Sequence, residues 1–139
     1  MRNIILLTLI VSTLFAGNAS NEIESIQQKN QKMPKLYDYE KLIKDMIYRL
    51  GRVNSDLKYV KDEKTAKRVI SSVKRNFTQF NSLNKKMANM PPPSLEIQDK
   101  LRKKYDAEFT ALANEFQKLV SDLASNEYAA ELMQAIQPE

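Results

Sequence analysis

Three consecutive prolines, Pro91-Pro92-Pro93, separate two long segments of matching helical pattern in this chain. A proline run cannot continue an α-helix, because each ring removes an amide donor and crowds the preceding turn. Ser94, directly after it, is a good N-cap for a new helix. Upstream, Ala66, Ile70, Val73, Phe77, Phe80 and Met87 recur at spacings of three, four and seven; downstream, Tyr105, Phe109, Leu112, Phe116, Leu119 and Leu123 continue the same period. The pattern predicts a helical hairpin with its tip at the prolines. Folding there sets Met87 against Ile97, Leu83 against Leu101, Phe77 against Phe109 and Val73 against Leu112.

A third stripe precedes these two. Leu36, Tyr39, Ile43, Met46, Leu50, Val53, Leu57 and Val60 alternate spacings of three and four, with Leu42 and Ile47 widening the stripe on one flank. That suits a helix facing two neighbours in a bundle. Gly51 interrupts it and is read as a point of close helix approach or slight bend. Thr65 is the expected cap of the next helix, and Ser125-Asn126 opens a short amphipathic piece carrying Tyr128, Leu132, Met133 and Ile136. Asn84 falls at a seam position beside Leu83, which can fill the seam while Asn84 points outward. The expected fold is all-α: an antiparallel bundle of three long helices plus a short C-terminal helix, at about 35–62, 65–89, 95–124 and 127–136, within a domain spanning 35–137. Only two glycines, and no run of strict alternation, argue against a sheet.

Residues 1–19 read as a secretory signal peptide: Arg2, an apolar run from Ile4 to Phe15, and small residues at Gly17-Asn18-Ala19. The apolar run is well short of the roughly 20 residues that span a bilayer. Residues 20–34 are polar and read as a flexible leader ending at Pro34. The expected destination is periplasmic or extracellular. With no cysteine in the chain, its stability rests on packing rather than disulfides. Asn76-Phe77-Thr78 matches a glycosylation sequon, but Phe77 is wanted in the core, so the match is set aside.

The chain has no histidine and no cysteine, and its glycines stand only at 17 and 51. That removes the usual base near neutral pH, thiol chemistry, ordinary zinc sites and glycine-rich phosphate loops. The expectation is a non-enzymatic protein with no catalytic residues, metal or cofactor.

Charge is the feature that sets this chain apart from a generic bundle. Residues 20–57 carry seven basic and six acidic side chains, 58–104 carry thirteen and four, and 105–139 carry one and seven. Lys61, Lys64, Lys67 and Arg68 are expected to lie along the acidic end of the third helix, with Glu115 and Asp122. The proline end is left with Lys74, Arg75, Lys85, Lys86, Lys100, Arg102, Lys103 and Lys104 against only Glu96 and Asp99, and with Met90 as an exposed apolar contact. Such a tip would attract an anionic envelope polymer or lipid, or an acidic protein; nucleic acid fits an exported chain poorly. The plainer reading is a solvated face that keeps the protein soluble. A holdase-type chaperone, with an open apolar face and dimerisation through the first helix, and a purely structural envelope protein are the alternatives.

Overall fold

The computed structural model describes residues 33–137, all of whose regular structure is helical. Helix α1 spans Leu36–Tyr59, α2 Glu63–Asn89 and α3 Leu95–Ala124; a 3₁₀ turn at Glu127–Ala129 leads into the short α4, Ala130–Ala135. The segment read as a signal peptide, most of the segment read as a leader, Pro138 and Glu139 lie outside the described residues.

The helix ends follow from local hydrogen bonding. Asp62, rather than Thr65, caps α2: its Oδ1 accepts from the Thr65 amide at 2.8 Å, while Thr65 Oγ1 accepts from the Lys61 and Asp62 amides at 2.8 and 3.0 Å. A carboxylate at the N-cap meets the positive end of the helix dipole as well as the free amide, so it takes the position and leaves Thr65 to complete the box. The helix therefore begins two residues before the expected start, and α1 ends three residues early. Ser94 caps α3 by accepting from the Ile97 amide at 3.3 Å.

Helix α1 packs closely on both α2 and α3, whereas the Cα atoms of α2 and α3 stay more than 8 Å apart. Met46, Leu50 and Val53 of α1, Val73 and Phe80 of α2 and Phe109 of α3 are wholly buried at the centre. Between α2 and α3 the space is filled by aromatic rings: Phe77 stacks on Phe116 at 5.9 Å between centroids, and Phe80 meets Phe109 at 6.3 Å. Ring pairs of this size hold two backbones apart while sealing the gap with apolar area.

The expected pairing of Phe77 with Phe109 is thus corrected by seven residues, about two helical turns. The simple register folded the chain at the middle proline. In fact the link from Met90 to Ser94 is extended, with ψ of 150° and 158° at its ends, so it advances the chain about twice as far per residue as a helix would. It carries the start of α3 past the last turn of α2, and Leu95 is left 70% exposed. Nearer the prolines, Leu83, Met87, Ile97 and Leu101 still fall in one apolar cluster with Tyr39, Leu42 and Ile43.

One further expectation changes, and the reading of Asn84 is refined. A Cβ built on Gly51 meets nothing within 4 Å, so Gly51 mediates no close helix approach. Asn84 is half-buried, with Leu83 packed against the core beside it, but Asn54 and Asn76 are the buried amides, 1% and 2% exposed. Asn76 accepts from Arg49 at 2.9 Å and donates to the Ser72 carbonyl at 2.9 Å, and Ser72 in turn donates to Asp56 at 2.6 Å. Asn54 donates to the Leu112 carbonyl and to Glu115, at 3.0 and 3.2 Å, while its Oδ1 is buried without a partner. The α1–α2 and α1–α3 contacts are each fixed by one buried amide.

Candidate functional site

The basic residues singled out from the sequence do not form one cluster at the proline end. Lys85, Lys86, Lys100, Arg102, Lys103 and Lys104 flank the proline link and are exposed. Lys74 and Arg75, also exposed, sit at the middle of α2, about 24 Å from Met90 along the helix. Met90 is half-buried against the Tyr39–Tyr105 cluster rather than projecting, because α1 reaches the prolines and covers it. Tyr39 Oη donates to the Pro91 carbonyl at 2.6 Å, and Gln98 Nε2 donates to the Pro93 carbonyl at 2.9 Å, so both ends of the link are tied down.

Much of the charge on α3 near the link is already matched. Lys100 pairs with Glu96 at 2.7 Å and Lys103 with Asp99 at 2.8 Å, each one turn away. Glu40 of α1 enters from outside the expected set, accepting from Lys104 Nζ at 2.8 Å and from Tyr105 Oη at 2.9 Å. These two hydrogen bonds, that from Lys104 first, hold the Glu40 carboxyl below its ordinary range, and the same contact raises Lys104.

What remains unmatched is on α2. From Lys64 to Asn89 that helix carries seven basic side chains and no carboxylate. Lys67 pairs with Glu63 at 2.6 Å, and Arg68 donates to the Tyr59 hydroxyl at 3.0 Å. Among the described residues Lys74, Arg75, Lys85 and Lys86 form no ion pair. The expected neutralisation of Lys61, Lys64, Lys67 and Arg68 by Glu115 and Asp122 does not occur. Glu115 is taken by Lys58 and Asn54 of α1, since α1 lies closer to α3 than α2 does.

The sequence reading missed a feature of α1. Tyr37, Tyr48 and Tyr59 are 69%, 59% and 48% exposed, and with Met33 and Leu95 they complete the exposed large hydrophobic side chains among the described residues. Their spacing is eleven residues, close to three turns, so they share one outer face with a drift of only about 20° per step over about 33 Å. Lys41, Lys44 and Arg52 stand between them on that face, and the Arg49 guanidinium lies 5.3 Å from the Tyr48 ring. The eleven-residue recurrence of tyrosine is present in the sequence, on the helix face turned away from the core stripe.

At the far end of the bundle an open cleft of about 710 Å³ lies between the start of α2 and the 3₁₀ turn, with Glu63, Lys67, Glu127 and Glu131 at its rim. Lys67 is engaged there by Glu63 and, more weakly, by Glu131. Among the described residues no group of three or more carboxylates is placed to hold a metal ion, and no helix is long and apolar enough to cross a membrane. The chain matches no protein-family model, and comparison with curated proteins and with solved structures returns no match.

Proposed function

We propose that this chain is an exported, non-enzymatic protein, an antiparallel helical bundle folded about its Pro91–Pro93 hairpin. It acts by binding an anionic envelope component or an acidic protein partner through the basic surface running from the middle of α2 to the proline end. The observation that carries this reading is the absence of any carboxylate between Lys64 and Asn89, with Lys74, Arg75, Lys85 and Lys86 unpaired among the described residues while Lys100, Lys103 and Lys104 on α3 are matched. Unpaired cations along one helix generate a field that draws in polyanions and is screened by salt. The N-terminal pattern of residues 1–19 supports export. We prefer binding of this kind to holdase activity because three of the five exposed large hydrophobic side chains among the described residues are isolated tyrosines, not a continuous apolar face.

The test is capture of envelope proteins, polymers and lipids on the immobilised chain from residue 20 onward, at low and high salt, with the fourfold variant Lys74→Gln, Arg75→Gln, Lys85→Gln and Lys86→Gln alongside. A dominant acidic ligand that is lost at high salt and in the variant is the expected result. A broad, salt-resistant set of unfolded proteins, retained equally by the variant, overturns the reading in favour of a holdase.

A further inference from the structure

The tyrosine-bearing face of α1 does not stand alone. Arg68 of α2 donates to the Tyr59 hydroxyl, which places the Arg68 side of α2 directly alongside this face. Arg75 and Lys86 follow Arg68 by seven and eighteen residues, within about 20° of it around the helix, and both are exposed. Two parallel rows result: Tyr37, Lys41, Lys44, Tyr48, Arg52 and Tyr59 on α1, and Arg68, Arg75 and Lys86 on α2. Of the α1 carboxylates bordering them, Asp38 accepts from the Lys35 amide at 2.7 Å and Asp56 from Ser72, leaving Asp45 as the one without such a bond.

We propose that this two-helix face is a docking surface for an anionic lipid bilayer, the phenols of Tyr37, Tyr48 and Tyr59 seating at headgroup depth and the surrounding Lys and Arg side chains meeting lipid phosphates. The proposal rests on the reading that the protein binds an anionic envelope component, and names the component and a contact face that shares Arg75 and Lys86 with the basic surface of α2 and extends it across the outer side of α1. Three features select a bilayer. The face is long and carried on rigid helices, which suits a flat, extended partner. Its aromatic residues are all tyrosine, whose apolar ring and polar tip match the boundary between acyl chains and headgroups. The tyrosines stand about 16 Å apart, too far to serve as stacking platforms for the successive bases of a single-stranded nucleic acid. The basic side chains supply the attraction to phosphate, and the phenols turn a diffuse electrostatic association into a seated one.

The experiment is co-sedimentation of the chain from residue 20 onward with phosphatidylglycerol-containing vesicles and with pure phosphatidylcholine vesicles, over a salt series. The expected result is binding to the anionic vesicles alone. It should weaken on the order of tenfold, about one factor of ten in the partition constant, when Tyr37, Tyr48 and Tyr59 are all changed to Ser, with unchanged helicity and melting temperature. The corresponding Tyr→Phe variant keeps the rings and should bind like wild type. No association of the wild type with anionic vesicles at low salt overturns the lipid proposal; the wider binding reading then still stands if salt-sensitive capture of a polymer or acidic protein persists. Vesicle binding indifferent to the Tyr→Ser changes but abolished by Lys74→Gln with Lys85→Gln, both about 100–120° around α2 from Arg68 and so off this face, also overturns it, in favour of the surface running to the proline end. Tighter binding to a single-stranded oligonucleotide than to the vesicles overturns it as well.

Discussion

Helices α2 and α3 are 27 and 30 residues long, and both pack on α1 and share the same two aromatic pairs, but they treat charge differently. On α3, Lys100 and Lys103 find carboxylates one turn back, and Lys104 and Glu115 find partners on α1. On α2, pairing stops at Arg68, and the cations beyond it stand without ion partners among the described residues. The fold treats these helices alike at their buried faces and leaves them unlike at their exposed ones. Core formation therefore sets no requirement on the α2 surface, whose charge is available for another role.

The comparison is broken most severely at the shared core. Phe109→Ala should cost about 3–5 kcal/mol in chemical denaturation, because it opens a cavity at the centre of the bundle. A double-mutant cycle sharpens this: Phe77 should couple to Phe116 and be nearly additive with Phe109. Stronger coupling of Phe77 to Phe109 would restore the simple hairpin register. Next in size, Thr65→Val should cost about 1 kcal/mol by removing the hydroxyl that closes the α2 cap.

Acid reaches the same cap from its other partner. Hydrogen bonds from Thr65 hold the Asp62 carboxyl below its ordinary 3.8. Its contribution is present in full above that value and is lost as the pH falls through the lowered one. Glu40 behaves likewise below its ordinary 4.5, so the α1–α3 contact at Lys104 and Tyr105 should weaken in the same acid range. A stability profile flat through acid pH in wild type, or unchanged by Glu40→Gln, would contradict these assignments.

Gly51→Ala should raise stability by about 0.5–1 kcal/mol, since nothing occupies the space and a mid-helix glycine costs backbone entropy. Smallest of all, the fourfold α2 Gln variant should move stability by no more than about 0.5 kcal/mol. A large loss would make those side chains part of the fold and erase the contrast between the helices.

The helices themselves were legible because apolar spacing records which face is buried, as in the unbroken run from Leu36 to Val60. The register between α2 and α3 was not. Spacing says which residues face inward but not how far an extended proline link carries the chain before it turns back. The identity of the α2 cap was a contest between two good capping residues, Asp62 and Thr65, decided by hydrogen-bond geometry. Burial of Asn54 and Asn76 was hidden because a seam position and a flank position differ by one residue in a helical pattern. Among the candidate binding residues, basicity was evident in the sequence, but pairing was not: the partner of Lys104 is 64 residues away, on α1.

The phenol of Tyr39, buried and hydrogen-bonded to the Pro91 carbonyl, is pushed above its ordinary 10.0 first by that burial and then by Asp38. The chain has six tyrosines and no tryptophan, so its absorbance at wavelengths beyond the weak phenylalanine band comes from phenols. A late phenolate step in an alkaline spectrophotometric titration, absent from Tyr39→Phe, would give the joint between α1 and the prolines its own optical signal, readable in the unlabelled protein while its outer surfaces are occupied.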